Sequence, residues 1–554
     1  MDITINNALI PDFFNMKWKK GHIGIENGKI VKVSERKLTG KNTLDVEEKA
    51  VTPGLIDCHC HIESSYATPY CFGQLVARFG TLKVVADCHE IANVAGLSGV
   101  KYFIENAKLT DISIKFAASS CVPASNITKG GGELSRDDIK ELLQMDEVVA
   151  LGEVMDINGV LNKNEKIMSI ISLAKELNKP INGHAAGLKG DRLLEYVKIG
   201  NVSDDHESEG IDEIEEKLKA GLKIFLREGS AATTEMKAYT LAEKYPDDMM
   251  YCTDDKTVSD ILETGHINFH LKKAVEVGLD PILALKLATL NGYKYYNFLG
   301  GVIEKGVPAD LVVFDDLKSF DPLFVITNGA LYNAKYEQFY VPDNLLHSIN
   351  IVKPIVIPKL RGAAQKFVIS VKEGSLVTAK EQLLQLIPPH DKSIANTNKD
   401  NIPEVIIDKD ILKITNIDRY GRHKKASGRI KGFKLEKGAI GSSLSHDCHN
   451  IIVVGTNDNN LEKVVNKILE IEGGLVCYDE KEFAILKLNI GGILSDDLPE
   501  NLAENINKIN RYAKELGCQF KEPFAMLSFM ALEVIPHLKL TSDGLFDVDL
   551  NRFL

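Results

Sequence analysis

Val51-Thr-Pro-Gly-Leu-Ile-Asp-Cys-His-Cys-His61 is an apolar run that ends in two histidines two residues apart. On a β-strand, residues i and i+2 face the same way. His59 and His61 therefore project together from a strand end, an arrangement suited to a metal ion held by imidazole nitrogens. Asp57 shares their parity and can support the ligands from behind. Cys58 and Cys60 have the opposite parity and should pack against the protein body. A lone His-x-His is more often surface or core decoration. Here, further ligand candidates follow, each at the end of its own apolar run.

Working outward, residues 51–299 alternate apolar strands with helix-like stretches. Strands are predicted at 55–61, 82–87, 114–118, 148–154, 181–184, 201–205, 223–226 and 249–253, with helical periodicity between them, as in 167–178 and 211–221. Eight strand–helix units in about 250 residues is the size of a (β/α)8 TIM barrel. Its strands are covered on both faces and so read as continuous apolar runs. Active-site residues of such barrels lie at the carboxyl ends of the strands. Those ends carry His59 and His61, Asp87 with His89, Glu153, His184, His206, and the pair Asp254-Asp255. Singly, each has a plain reading as a hydrogen-bonded end residue or a helix cap. The order His-x-His, Glu, His, His, Asp on successive strands is harder to obtain by chance.

Two β-rich pieces flank the barrel. Residues 1–50 contain strands around an Asn27-Gly28 turn, a hairpin signal. The run Gly300-Gly-Val-Ile-Glu-Lys-Gly-Val-Pro-Ala-Asp-Leu-Val-Val-Phe314 is similar in character. The two are expected to pair into a small β-sandwich domain, 1–50 with 300–354, around a barrel at 51–299. Residues 355–554 read as a C-terminal α+β domain, with strand 366–371, amphipathic helices near 461–471 and 502–516, and a polar loop at 388–401. Gly130-Gly131-Gly132 reads as a barrel loop, since no Lys-Ser/Thr follows to make a phosphate cradle. No Gly-x-Ser-x-Gly elbow is present. Arg422-His423, before a Lys-rich turn, could face the site but reads better as a solvated basic patch.

Composition narrows the class. A chain of 554 residues needs more than one core. Its 44% hydrophobic and 26% charged residues are ordinary for a globular protein. A net charge of −12 argues against nucleic acid or an anionic membrane as partner. No run has the length of a membrane span, residues 1–20 lack a signal-peptide pattern, and nine scattered cysteines read as reduced thiols of a cytoplasmic protein.

Three stretches carry a family resemblance. They are Pro53-Gly-Leu-Ile-Asp-Cys-His-Cys-His-Ile-Glu-Ser-Ser65, Val84-Val-Ala-Asp-Cys-His-Glu-Ile-Ala-Asn-Val94, and Gly438-Ala-Ile-Gly-Ser-Ser-Leu-Ser-His-Asp-Cys-His-Asn-Ile-Ile-Val-Val-Gly-Thr-Asn-Asp458. With Asn291-Gly292, Gly306-Val-Pro-Ala-Asp-Leu-Val-Val313 and Glu522-Pro-Phe-Ala-Met-Leu-Ser-Phe529, the chain resembles the adenine deaminases of the amidohydrolase superfamily over nearly its whole length. Tyr66, Cys88 and Cys448 depart from the usual pattern, where Met, Pro and Ser are expected.

The resemblance implies a binuclear metal centre. His59, His61 and Asp254 would hold one ion, His184 and His206 the other, and Glu153 would bridge them. Imidazole and carboxylate donors fit Mn2+, Fe2+ or Zn2+, and the family points to manganese or iron. The implied reaction is hydrolytic deamination of adenine to hypoxanthine and ammonia, in purine salvage. The metal makes water acidic enough to attack, Asp254 moves the proton to the leaving amine, and Glu90 or His89 protonates the ring. Asp255 stays open as the alternative ligand on the eighth strand. Asp87, His446, Asp447 and His449 are expected to contact the substrate. A homo-oligomer, dimer or larger, is expected. Two alternatives remain: another barrel hydrolase acting on a cyclic amide or N-acyl group, and a catalytically silent binding homologue.

Overall fold

The computed structural model describes residues 1–125, 127, 129–208, 210–230, 232–351, 355–387 and 402–554. The predicted loop 388–401 lies outside them. The chain divides into two compact units. The first comprises Met1–Cys88, Lys101–Cys121 and Leu134–Phe339, and the second His89–Val100, Val122–Glu133 and Tyr340–Leu554.

In the first unit, five parallel strands lie side by side: Leu55–Cys60, Thr81–Asp87, Ser113–Ala118, Val148–Val154 and Ile181–Gly183. Asp204–Asp205, Lys223–Arg227 and Met249–Cys252 form a second parallel row. A parallel bridge between Cys60 and Asp254 joins the eighth strand to the first. Ser203 N donates to Ile181 O at 2.9 Å, joining the sixth to the fifth. Eight strands thus close into an α/β barrel of TIM type.

The strands are buried on both faces, which accounts for their unbroken apolar character. Ile56, Cys58, Val85, Ala117, Phe225 and Met250 share one apolar cluster. Cys58 and Cys60 are indeed buried, as their parity required. The surrounding helices start where their caps dictate. Thr68 caps Pro69–Ala77, and Ser135 with Asp138 forms a capping box on Arg136–Leu143.

One strand assignment and one shared face need correction. The sixth strand is only Asp204–Asp205, because Asn201, at φ 51°, ends the preceding helix Gly190–Gly200 in the left-handed region. The second strand stops at Asp87, and His89 opens the helix His89–Ala107 instead of continuing the strand parity.

The first unit also holds an eight-stranded sheet that joins N-terminal strands to strands beyond the barrel. Ala50–Pro53 pairs antiparallel with Leu311–Phe314 and runs parallel to Ile3–Asp12. Ile5, Ile23, Val51, Leu311 and Ile326 form its core. Between Lys17–Glu26 and Lys29–Ser34, Asn27 and Gly28 take φ of 49° and 73°, the mirror-image turn that matches strand twist.

The second unit is built on an eight-stranded mixed sheet running from Ser375–Gln382 at one edge to Phe483–Lys487 at the other. Helix Asp458–Glu470 lays Leu461, Val464, Val465 and Ile468 on it. The three glycines at 130–132 belong here. A Cβ on Gly132 would lie 2.0 Å from Gly96 N, and one on Gly131 2.4 Å from Val94 O. Bare backbone lets this loop close against the first turns after His89. Arg422 is no free patch: it pairs with Asp418 and donates to Gly130 O at 2.9 Å. Among the described residues, no helix is long and apolar enough to cross a membrane.

Candidate metal centre

Six donor side chains gather at the carboxyl ends of the barrel strands. His59 Nε2 and His61 Nε2 lie 3.3 Å apart. Asp254 Oδ1 is 3.2 Å from His61 Nε2 and 3.7 Å from His59 Nε2. Glu153 Oε1 is 3.3 Å from His61 Nε2, and its Oε2 faces His184 Nδ1 and lies 3.6 Å from His206 Nε2. Glu153 thus reaches both halves of the group. The backbone helps to set this geometry. Asp254 N donates to His59 O and His61 N to Asp254 O, both at 3.0 Å. Asp254 itself sits at φ 56°, a conformation that costs a non-glycine residue about 1 kcal/mol or more.

These residues fit a divalent metal. Two donors on one ion, each about 2.1 Å from it, stand roughly 3.0–3.4 Å apart at octahedral or tetrahedral angles, close to the separations here. Both ring nitrogens of His206 are buried and make no hydrogen bond among the described residues, a costly state unless a ligand engages them. His61 Nδ1 lies 2.9 Å from Asp87 O, so the proton belongs on Nδ1 and the Nε2 lone pair faces the cluster. Burial, reinforced by His206 and His61, pushes His59 well below its usual pKa and keeps it neutral. Burial opposes ionisation of Glu153 and Asp254. The neighbouring imidazoles, and Arg227 beside Asp254, outweigh it and hold both pKa values well below normal.

Behind the donors stand three buried aspartates. Asp57 Oδ1 accepts from His59 N and Thr253 N, and its Oδ2 from Thr253 Oγ1. Asp205 Oδ1 accepts from Ala185 N, next to His184, and its Oδ2 takes Lys217 Nζ at 2.9 Å. Asp87 Oδ2 accepts from Glu153 N, and its Oδ1 takes Ser119 Oγ. Gly152 permits that approach, since a Cβ there would lie 2.1 Å from Asp87 Oδ2. Asp87, expected to contact the substrate, is fully buried, with one oxygen on Glu153 N and the other on the Ser119 hydroxyl.

Asp254 and Asp255 separate by their partners. Asp255 takes the Ser64 hydroxyl, whereas Asp254 turns Oδ1 to the imidazoles. Two neighbours escaped the sequence reading. Arg227 closes the seventh strand, and its Nη1 lies 2.8 Å from Asp254 Oδ2 and 2.7 Å from Glu207 Oε1. Glu207 directly follows His206, the one signal that could have drawn attention to it.

A second cluster lies in the second unit. Glu90 Oε1 faces His446 Nδ1 and is 3.4 Å from His89 Nε2, and Glu90 Oε2 faces His449 Nε2. His446 stacks on Phe529 with centroids 4.3 Å apart. Asp447 is buried with them, and its pKa rises to about 7 through burial and the charge of Glu90. Burial lowers His449 to about 4. The structure thus gathers Glu90, His89, His446, Asp447 and His449, residues that the sequence reading drew from two distant segments.

Residues 50–336, the barrel with histidine and carboxylate donors on its strand ends, match the Amidohydrolase family. That family implies a divalent metal. Residues 390–552 match the adenine deaminase C-terminal domain. A protein named adenine deaminase from Methanosphaera stadtmanae is 38% identical over 549 residues, covering 96% of each chain. One from Borreliella afzelii is 38% identical and covers 98% of each. One from Thermosipho africanus is 35% identical, covering 100% of this chain and 96% of its own. The chain belongs to the adenine deaminase family of amidohydrolases.

Proposed function

We propose that this protein hydrolyses adenine to hypoxanthine and ammonia at a binuclear centre on the barrel rim. Relatives named adenine deaminase align with the chain over nearly its full length, and this carries the choice of substrate. The convergence of six donors around Glu153 supports the metal-dependent reaction. His59, His61 and Asp254 would hold one divalent ion, His184 and His206 a second, with Glu153 between them. Manganese or iron is the proposed metal, with zinc chemically admissible. A bound divalent ion supplies Lewis acidity that brings the pKa of water near neutrality.

The chain's own residues do the rest. Asp254 presents an ionised Oδ1 beside two imidazoles, placed to accept a proton from water and return it to the leaving amine. Attack at C6 loads charge onto the purine ring, which must take up a proton. Glu90 or His89 is assigned to supply that proton: Glu90 turns its two oxygens to His446 and His449, and His89 Nε2 lies 3.4 Å from its Oε1. His446, Asp447 and His449 are assigned to the substrate. A cytoplasmic homo-oligomer engaged in purine salvage, with no nucleic-acid or membrane partner, completes the reading.

The test is ultraviolet-monitored turnover of adenine by metal-free protein and by protein loaded with Mn2+, beside His59→Ala. Metal-dependent formation of hypoxanthine that vanishes in the variant is the expected result. A metal-loaded protein inert toward adenine would redirect the search to cyclic amides and N-acyl groups.

A further inference from the structure

Among the described residues, Arg227 is a strong cation bonded directly to the donor group. Its side chain is almost fully buried, and its backbone is locked to Thr234 by reciprocal contacts, Arg227 N to Thr234 Oγ1 and Thr234 N to Arg227 O, both at 2.9 Å. It ends the seventh strand, between the sixth, which leads into His206 and Glu207, and the eighth, which leads into Asp254. One nitrogen, Nη1, reaches both sides, Asp254 Oδ2 at 2.8 Å and Glu207 Oε1 at 2.7 Å. Burial works against its charge, but the two carboxylates outweigh that penalty and keep it a cation.

Each contact has a consequence at the donor group. Asp254 has two equivalent oxygens, and a free carboxylate could turn either, or both, toward a cation. With Oδ2 tied to Arg227, only Oδ1 faces His61 and His59. Glu207 Oε1 stands 3.5 Å from His206 Nε2 and 3.8 Å from His184 Nδ1, close enough to join the donors itself. Arg227 occupies that oxygen.

We infer that Arg227 is a positioning residue: it limits Asp254 to one oxygen toward the metal centre and holds Glu207 out of the ligand set. The inference rests on the metal-centre reading above. Without the guanidinium, Asp254 would be free to rotate its shuttle oxygen away, and a third carboxylate would crowd the ions. The damage belongs to the turnover step and leaves purine binding alone.

The experiment compares wild type with Arg227→Met and Arg227→Lys, as full-length protein loaded with Mn2+. Three readouts are taken: adenine kinetics, metal content, and the electron paramagnetic resonance spectrum of bound Mn2+. In the methionine variant, kcat should fall by about 100-fold or more while KM moves less than about threefold. Its Mn2+ spectrum should change as the carboxylate set rearranges. Lysine, which keeps the charge but not the rigid fork, should recover part of the loss. A folded methionine variant with wild-type spectrum and kcat would overturn the inference. If methionine prevents folding, the lysine variant decides, and an unchanged spectrum with unchanged kcat would overturn it. If wild-type protein binds Mn2+ but does not turn over adenine, the substrate assignment fails separately, and the spectra still report on Arg227.

Discussion

Two buried histidine–carboxylate clusters in this chain are built differently. In the barrel cluster, Asp254 Oδ1 meets His61 and His59 at 3.2 and 3.7 Å, Glu153 Oε1 meets His61 at 3.3 Å, and Glu153 Oε2 lies 2.5 Å from His184 Nδ1 and 3.6 Å from His206 Nε2. In the second cluster Glu90 turns Oε1 to His446 and Oε2 to His449, with His89 Nε2 3.4 Å from Oε1 and Asp447 buried beside them. The first group sets four imidazoles around two carboxylates and leaves both ring nitrogens of His206 without a hydrogen bond among the described residues, whereas the second sets three imidazoles around Glu90. On the proposed reading, the same residue types hold metal in the first cluster and handle protons in the second, with spacing and partners making the difference.

Removing Glu153 should separate the two most sharply. Glu153→Gln is expected to cut adenine turnover by roughly 1,000-fold or more and to lower the bound metal per chain, both read by kinetics and elemental analysis. Glu90→Gln should cost about 100-fold or more in kcat, within the range of general acid–base catalysis, while metal content stays at the wild-type value. A loss of metal in Glu90→Gln would erase the distinction between the clusters.

Asp87→Asn sharpens it from behind. Because Asp87 Oδ2 accepts from Glu153 N, metal affinity should weaken by about 10- to 100-fold. KM of the fully loaded enzyme should remain unchanged. A raised KM with intact metal binding would restore Asp87 to the substrate.

The smallest effect concerns the support beneath the second cluster. Lys539 is buried and donates to Phe529 O at 3.1 Å, under the ring that stacks on His446. Burial lowers its pKa from 10.5 to about 7. Between pH 7 and 10.5 the unfolded chain therefore binds a proton that the folded chain does not. This lysine's contribution makes stability rise with pH across that window, by at most about 1.4 kcal/mol per unit. Chemical denaturation of wild type against Lys539→Met at pH 7 and 9.5 should show the slope in wild type and its loss in the variant.

Much of the first cluster was legible because strand periodicity is simple. Parity alone joins His59 to His61, and a barrel brings successive strand ends to one rim. Legibility failed just past a strand end. Asp87 and His89 were read as one face, but the chain turns at Cys88 into a helix. Arg227 was invisible, since nothing in Lys223-Ile-Phe-Leu-Arg227 marks its last residue as more than a strand end. Glu90 and His446 are 356 residues apart, and no local pattern connects them. The run Ser445–Asn450 before an apolar strand reads equally as a turn or a site loop, and the family resemblance of 438–458 is what favours a site role for His446, Asp447 and His449. The three glycines at 130–132 read as a loop, but the helix backbone that excludes their side chains could not be foreseen.

The division of labour is tested most directly by measuring metal content and adenine kcat side by side in Glu153→Gln and Glu90→Gln. The predicted result is loss of both in the first variant and of turnover alone in the second. Full metal and full turnover in Glu153→Gln, or metal loss in Glu90→Gln, would contradict it.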